Sequence, residues 1–316
     1  MSFLEENRHL IFKKYSDEEL LKDIDSYVNG KGRLNKILNH FFEEIIFESC
    51  GRGSNISPMD VLKDDEKIKE IFEYIKTKPN FYKGNDIQNL KSYLRNAVSW
   101  VRKVANFPAR EAYHIQNRYN FENKKLYVLD TSAGFGSRMS ASLLFHNYYC
   151  GIDPNPNLYQ KLNEYFYFLQ KNNLSKKNHC LIYCQGSEVK IDRLIEKCDI
   201  SFTSPPYFNL EYYYNDNSES TKNYDNYSLW TNNFVAPTIK NTYLYLKKGG
   251  YAMINIKNLN DKYPLYDSFY ETFNSIDGFE FKEVFDMKIS SKKNYGMSGN
   301  YDIPNKEPVM VFKKVK

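Results

Sequence analysis

The sequence lacks both a disulfide framework and a segment long enough to cross a membrane. Its five cysteines are an odd number and occur without a secretion signal, which predicts reduced thiols. No apolar run approaches the roughly 18 residues of a membrane-spanning helix. The opening segment MSFLEENRHL contains acidic residues and lacks the apolar core of a signal peptide. We therefore expect a cytoplasmic protein, or a protein of the host cytoplasm if its source is a virus.

A strong charge imbalance is also missing. The formal net charge is +5 over 316 residues, which suits a polyanionic partner without requiring one. Hydrophobic residues make up 41% and charged residues 26%, a composition that supports a sizeable core. Tryptophan is rare, with 2 residues, whereas the chain has 28 tyrosines and 22 phenylalanines. This abundance indicates either compositional drift in the source genome or binding surfaces rich in aromatic rings.

Metal-ligating residues are sparse as well. His179, Cys180 and Cys184 are the one short cluster that resembles a metal corner. The two cysteines flank the apolar run Leu-Ile-Tyr, so we interpret them as positions on one buried strand and expect no metal.

The N-terminal third shows the periodicity of helices. Apolar residues in 33–49 recur at the i, i+3, i+4, i+7 spacing of one helical face. Further helices are predicted over 60–78 and over 85–107, where the second ends before Pro108. We predict a helical N-terminal region over 1–105 that serves target recognition or covers a cofactor.

From about Tyr127 the pattern changes to short apolar strands that alternate with helical segments. The predicted strands are 126–130, 148–153, 180–184, 199–203, 251–256, 279–289 and 308–314. Alternation of this kind predicts parallel strands joined by crossover helices, hence an α/β doubly wound sheet in a domain over 106–316. The last two strands follow one another directly, so we expect them to pair antiparallel at an edge. The Asn-, Tyr- and Ser-rich segment 209–228 is predicted to be a long loop.

The first strand leads into a glycine-containing turn, 130-DTSAGFGS-137. Gly134 and Gly136 permit a tight turn and a close approach of the backbone to a ligand. The second strand ends at Asp153, about 20 residues further on, where a carboxylate can accept hydrogen bonds from both hydroxyls of a ribose. The turn is not a G-x-G-x-x-G motif, and Asp130 would repel a pyrophosphate but attract an ammonium group. A nucleoside with a cationic tail, such as S-adenosylmethionine, therefore fits better than NAD.

The third strand is followed by 185-QGSE-188, which lies on the same predicted edge of the sheet. Ser187 or Glu188 can hydrogen-bond an adenine there, although a plain turn explains either residue equally well.

The fourth strand runs into Ser204-Pro205-Pro206-Tyr207. Two prolines lack N–H donors and have restricted φ, so they end the strand and present carbonyl oxygens from a rigid backbone. Such acceptors can bind the N–H groups of an exocyclic amine and localise its lone pair for attack on an electrophilic methyl group. Tyr207, with Phe208 as a second candidate, offers a ring on which a base can stack, which requires that base to be flipped out of a duplex.

These motifs resemble those of the S-adenosylmethionine-dependent amino-methyltransferases of DNA, the N4-cytosine and N6-adenine group, and in particular phage-type members. The family motif is [Asp/Asn/Ser]-Pro-Pro-[Tyr/Phe/Trp], here Ser204-Pro205-Pro206-Tyr207, and the resemblance covers roughly residues 105–314. It implies a class I methyltransferase-like fold with a mostly parallel, seven-stranded sheet. It also implies that S-adenosylmethionine is the cofactor and that double-stranded DNA with a flipped base is the partner, with a cognate restriction enzyme as a further partner.

The resemblance also implies roles for single residues. The cofactor-binding residues are Asp130, Ser132, Gly134, Gly136, Asp153 and Ser187. The residues that hold and activate the base are Ser204, Pro205, Pro206 and Tyr207.

The identity of the base is less sharply indicated. Ser204 in the first motif position is commoner in N4-cytosine enzymes, which favours cytosine. The cofactor loop precedes the catalytic motif, however, and many N4-cytosine enzymes have the reverse order, so N6-adenine stays an alternative. An RNA base and a non-catalytic nucleic-acid-binding role also stay open.

Two related chemistries are disfavoured. A C5-cytosine mechanism commonly uses a cysteine nucleophile after a proline, and no cysteine in this chain follows a proline. Protein glutamine methylation uses Asn-Pro-Pro-Tyr, which Ser204 does not match. Candidate phosphate-binding residues are Arg52, Lys292 and Lys293, and Arg138 is expected either to bind the carboxylate of the cofactor or to balance surface charge.

Overall fold

The computed structural model describes residues 1–51, 54, 56–78, 84–96, 104–208, 213, 220–224, 226–258, 262–287 and 307–316. The chain divides into two compact units. The first comprises Met1–Asn106 with Asn209–Asp216, and the second comprises Phe107–Phe208 with Asn217–Lys316. No helix in the described ranges combines the length and the apolar character that membrane crossing requires.

The first unit is helical where it is described. Its helices are α1 (Phe3–Ile11), α2 (Asp17–Val28), α3 (Asn35–Phe47), α4 (Pro58–Leu62), α5 (Asp65–Lys76) and α6 (Asp86–Asn96). Serine caps start three of them, because Ser2, Ser16 and Ser57 each accept a hydrogen bond from the third helical N–H in a capping box. The apolar faces of α1, α3, α4, α5 and α6 meet in one buried cluster.

The helix predicted over 33–49 is confirmed as α3. The helix predicted over 85–107 is α6 from Asp86 to Asn96, and residues 97–103 lie outside the described ranges. Residues 104–107 are not helical, so that end of the prediction was wrong. The role of this unit in target recognition or cofactor cover stays a prediction.

The second unit contains a seven-stranded sheet in the order β3-β2-β1-β4-β5-β7-β6. Its strands are β1 (Tyr127–Asp130), β2 (Tyr148–Ile152), β3 (Cys180–Tyr183), β4 (Cys198–Thr203), β5 (Leu246–Asn255), β6 (Phe279–Asp286) and β7 (Pro308–Lys314). Its helices are α7 (Ala109–Gln116), α8 (Ser137–Leu143), α9 (Pro156–Lys171), α10 (Ser220–Asn223), α11 (Tyr227–Trp230), α12 (Ala236–Tyr245) and α13 (Leu265–Asn274). The neighbouring strands β3, β2, β1, β4 and β5 all pair in parallel, and β7 lies antiparallel between β5 and β6. This is the class I methyltransferase-like fold that the sequence predicts.

Burial along the strands follows their position in the sheet. The central strands β1 and β4 and the inner strand β7 bury most of their residues, because each has a neighbouring strand on both sides and side chains of α7 and α8 pack on them. The edge strand β6 alternates half-buried and exposed positions. The antiparallel pair is confirmed, but β7 is inside the sheet and only β6 is at the edge.

The parallel register brings several strand ends to one edge. Asp130 lies opposite Gly151, and Thr203 lies opposite Ile254. The loops that follow β1, β2, β4 and β5 therefore begin side by side at what we call the carboxyl edge. This placement is where α/β sheets bind ligands.

Part of the loop predicted over 209–228 is helical. Residues 209–212, 214–219 and 225 lie outside the described ranges, but α10 and the start of α11 fall within the segment. The side chain of Asn226 accepts hydrogen bonds from the N–H groups of Ser228 and Leu229, and Trp230 is fully buried. A cap and one buried ring therefore stabilise a helix where hydrophobic periodicity is absent. A π-helical turn, Thr231–Val235, joins α11 to α12.

Candidate functional site at the carboxyl edge

The turn after β1 depends on its two glycines. Gly134 has φ +57° and Gly136 has φ +77°, a region that residues with a Cβ seldom adopt. Gly136 is also the N-cap of α8. The Ala133 N–H donates to the Ile152 carbonyl at 2.9 Å, which fastens the turn to the end of β2. The glycines thus turn the chain sharply from strand to helix beside the second strand.

Asp153 lies against this turn, as the sequence predicts. Its Oδ2 accepts the Gly134 N–H at 3.3 Å, and its Oδ1 accepts the Asn155 N–H at 3.2 Å. Burial raises the pKa of Asp153 to about 6, and the two backbone hydrogen bonds oppose that rise. Each carboxylate oxygen has capacity for a further donor, so the group can accept two hydroxyls.

Asp130 is placed differently from the prediction. It is fully buried, and its two oxygens accept four hydrogen bonds. Oδ1 accepts from the Ser132 N–H at 3.3 Å and the Thr203 hydroxyl at 2.9 Å. Oδ2 accepts from Arg138 Nε at 2.7 Å and the Tyr149 hydroxyl at 2.9 Å. Because protein donors already surround the carboxylate, its described contacts organise the site and do not present it to an ammonium group.

Arg138 completes this arrangement. Its side chain is buried rather than on the surface, so the surface-charge interpretation was wrong. The guanidinium donates to Asp130 and to the Ser132 carbonyl, and it lies 5.6 Å from the centre of the Phe107 ring. Burying this cation beside the carboxylate compensates both charges. It also holds the turn that contains Ser132 against α8.

The loop after β3 provides a different residue from the one that the prediction emphasised. Ser187 is buried, and its hydroxyl pairs with the Thr238 hydroxyl at 2.9 Å. Its carbonyl accepts from the Asn241 side chain at 2.9 Å, so Ser187 anchors the loop to α12. Glu188 Oε2, in contrast, is buried without a hydrogen-bond partner among the described residues. Burial raises the pKa of Glu188, and its unpartnered Oε2 makes it the residue of this loop with hydrogen-bonding capacity to offer.

Ser204-Pro205-Pro206-Tyr207 follows β4 at the same edge. Pro205 and Tyr207 are buried, whereas Ser204 and Pro206 are half-buried. The preceding residue is Thr203, whose hydroxyl donates to Asp130. This hydrogen bond therefore attaches the start of the motif to the end of β1, where the glycine turn begins.

Phe208 is not available for stacking on a base, so that interpretation was wrong. Its ring is 2% exposed and packs on Tyr227, Trp230 and Tyr263 with centroids 5.3, 5.4 and 5.0 Å away. Its φ of +43° is unusual for a residue with a side chain. The aromatic cluster holds this conformation and fixes the end of the motif. Tyr207, which is 9% exposed, stays the candidate stacking ring of the prediction.

Sequence reasoning missed Thr203 and Tyr149 as members of the site. Both look like ordinary strand residues in the sequence, and only the sheet brings them to one carboxylate. Arg52, Lys292 and Lys293 lie outside the described ranges. Within those ranges, no group of three His, Cys, Asp or Glu side chains has the geometry of a metal site, and Cys184 is exposed rather than buried.

Comparison with known proteins yields general similarity only. No family model matches the chain, and no curated protein matches its sequence. An S-adenosylmethionine-dependent O-methyltransferase from Thermotoga maritima is 11% identical over 68% of each chain, with a TM-score of 0.41. A tRNA methyltransferase from Aquifex aeolicus is 13% identical over 68% of this chain and 72% of its own, with a TM-score of 0.41. An rRNA methylase from Streptococcus thermophilus is 13% identical over 64% of this chain and 96% of its own, with a TM-score of 0.40. Similarity at this level assigns no activity.

The Thr203–Asp130 hydrogen bond has a measurable effect on stability. Thr203→Val keeps the shape of the side chain but removes a donor to a buried carboxylate. We expect the free energy of unfolding to fall by about 1.5–3 kcal/mol, measured by urea denaturation at pH 7. Thr203→Ser keeps the hydroxyl and is the matched control, with a smaller loss expected. A larger loss in Thr203→Ser than in Thr203→Val would show that the methyl group contributes more than the hydrogen bond.

Proposed function

We propose that this protein transfers a methyl group from S-adenosylmethionine to the exocyclic amino group of a flipped base in DNA. The observation that carries the proposal is the position of Ser204-Pro205-Pro206-Tyr207. The motif ends the strand next to β1, and Thr203 links it directly to Asp130 at the start of the glycine turn. A base-binding motif and a nucleoside-binding turn thus share one edge of the sheet.

The residues at the glycine turn fit S-adenosylmethionine. Asp153 offers free acceptor capacity for ribose hydroxyls, and the positive φ of the two glycines makes the tight turn beside it. The Ser137 hydroxyl is buried at the start of α8 without a partner among the described residues, and Glu188 has an unpartnered oxygen. Unsatisfied buried polar atoms of this kind suit a polar ligand. When bound there, the cofactor supplies an electrophilic methyl group on its sulfonium.

The motif supplies the other half of the chemistry. The proline pair has no N–H donors, so the backbone beside the base offers only acceptors. Carbonyl oxygens of the motif accept hydrogen bonds from the two N–H groups of the amine. These hydrogen bonds draw the N–H groups out of the ring plane, so the lone pair is localised on the nitrogen. Tyr207 provides the surface on which the flipped base stacks.

Cytosine N4 is the base position that Ser204 favours. Adenine N6 is the second candidate, and the motif order favours it, since the glycine turn precedes the proline motif. Both amines are conjugated with their rings and need the same acceptors. An RNA base in a loop can present the same edge without flipping from a duplex.

Nucleoside analysis distinguishes these substrates directly. DNA and RNA from cells that express the protein, digested to nucleosides and resolved by mass spectrometry, should contain N4-methylcytosine in the DNA. N6-methyladenine in the DNA would reassign the base, and methylation confined to RNA would reassign the nucleic acid. A folded protein that binds S-adenosylhomocysteine but labels neither DNA nor RNA in a tritiated methyl assay would overturn the proposal.

Tyr207 allows a sharp test of base stacking. Tyr207→Ala should lower kcat/KM for methyl transfer by about five- to 150-fold, because stacking on an aromatic ring is worth about 1–3 kcal/mol per base. Tyr207→Phe keeps the ring and should stay within about threefold of the parent protein. Affinity for S-adenosylhomocysteine, measured by calorimetry, should be unchanged in both. Parallel loss of cofactor affinity in Tyr207→Ala would place the residue on the cofactor side.

The raised pKa of Asp153 predicts that cofactor binding depends on pH. Its raised pKa of about 6 means that the carboxylate gains a proton as the pH falls through 6, and a protonated carboxyl is the poorer acceptor for ribose hydroxyls. Affinity for S-adenosylhomocysteine should be constant above pH 7.5 and should fall as the pH drops from 7 to 5. Asp153→Asn should bind more weakly at pH 8 and show a flat profile over this range. A profile in Asp153→Asn identical to that of the parent would assign the titration to another group.

A further inference from the structure

The opposite edge of the sheet collects lysines. Because β1 to β5 are parallel, the residues that precede these strands all lie at one edge, which we call the amino edge. Exposed lysines precede β1 and β3, precede β4, and occupy the start of β5. We call Lys125, Lys176, Lys177, Lys197 and Lys248 the lysine strip.

No lysine of the strip takes part in an ion pair between described residues, a property that it shares with some exposed lysines elsewhere, such as Lys31 and Lys240. Other exposed lysines have an acidic neighbour, as in Lys22–Glu18 at 2.6 Å, Lys190–Asp192 at 2.7 Å and Lys282–Glu280 at 2.7 Å. The strip is distinguished by the position of its five lysines along one edge of the sheet. Positive charge at this edge is therefore left uncompensated by the protein.

Two lysines of the strip lie near the same histidine ring. Lys125 and Lys176, together with His146, act electrostatically on the same imidazole, that of His179. The ring of His179 lies 4.8 Å from Tyr148, which stacks on the exposed Tyr127 at 4.1 Å. These contacts connect the starts of β1, β2 and β3 into one continuous surface.

Asp199 and Glu122 at this edge already have a lysine partner, whereas Glu196 is exposed beside Lys197. Asp199 accepts from Lys247 at 2.8 Å and from the Tyr127 N–H at 2.8 Å, and its side chain is only 15% exposed. Glu122 lies 3.5 Å from Lys124. Glu196 acts on the buried Lys314, whose ammonium donates to the carbonyls of Tyr243 and Leu246. A net positive field therefore extends from this edge into solvent.

The dimensions suit a chain of phosphates. The strip crosses five neighbouring strands, about 19 Å at a strand spacing of about 4.8 Å, which equals the rise of about five to six base pairs. It is separated from the proline motif by the length of β4, about 17–20 Å at about 3.3 Å per residue. Nucleic acid at the strip is thus a segment other than the target base, reached by bending, by folding or by a second molecule.

We propose that the lysine strip is a second, sequence-independent contact for the phosphate backbone of nucleic acid. The choice of nucleic acid over an acidic protein rests on the proposed function, whereas the choice of a polyanion rests on the unpaired lysines alone. Lysines that neutralise phosphates release counterions, so binding through the strip depends strongly on salt. The strip would hold flanking nucleic acid while the carboxyl edge modifies a base.

The test compares two double variants that lose the same charge. Lys125→Gln with Lys176→Gln removes two unpaired cations of the strip, and Lys190→Gln with Lys282→Gln removes two paired cations elsewhere in the same unit. Binding to a labelled 40-base-pair DNA duplex and to an RNA hairpin of equal length is measured by fluorescence anisotropy from 50 to 300 mM KCl. In the strip variant, the negative slope of log affinity against log salt should become shallower by about two, with about 50-fold weaker binding at 0.1 M salt. The control should keep the slope of the parent protein.

Each outcome bears on one proposal. A shallower slope in the strip variant with both probes supports a backbone contact, and a shallower slope with one probe alone supports it for that nucleic acid. Equal slopes in the strip variant and the control overturn the inference. Cofactor affinity and the single-turnover rate at saturating substrate should be unchanged in the strip variant. If the parent protein transfers no methyl group but the slope still falls, the proposed function fails and the strip remains.

Discussion

A buried carboxylate organises this structure. Asp130 is removed from water at the end of a central strand, and such a charge is tolerated only when it is paired and hydrogen-bonded. Arg138 supplies the opposite charge, and Tyr149, Thr203 and the Ser132 N–H supply the remaining donors. Loss of the opposite charge from a buried ion pair typically costs about 3–5 kcal/mol, so Arg138 is the partner on which the arrangement depends most.

This constraint explains why the two halves of the site keep a defined separation. The donors to Asp130 come from the glycine turn, from α8, from β2 and from the last residue of β4, so one carboxylate joins four elements. On the far side of the proline motif, the aromatic cluster around Phe208 holds the chain where its backbone turns through a positive φ. The motif is therefore fixed at both ends, by a hydrogen bond before it and by ring packing after it. The proposed role of the motif as a rigid acceptor for an amine would need this kind of support.

Much of the sheet and of the site could be predicted from local pattern. Apolar runs alternating with helical periodicity predict parallel strands, and parallel strands place the ends of β1, β2 and β4 together, which brings Asp153 beside Gly134. Contacts across the sheet could not be predicted in this way. Tyr149 and Thr203 contact Asp130 although they are 19 and 73 residues away in the chain, and neither has a signature beyond that of a strand residue. The helix at Tyr227 was missed because a cap and the burial of Trp230 stabilise it, and it has no apolar stripe that a pattern could detect.

The sequence by itself determined the order of strands and helices, the glycines at the first turn, and the proline pair with its missing donors. These properties belong to single residues or to short-range periodicity, so they can be recognised without the fold. Only the tertiary structure decided which polar groups are exposed to a ligand and which are used by the protein. Asp130 and Ser187 have their acceptors or hydroxyls engaged within the unit, whereas Asp153 and Glu188 keep capacity to spare. The lysine strip was decided in the same way, because unpaired charge depends on whether an acid from a distant segment lies within reach.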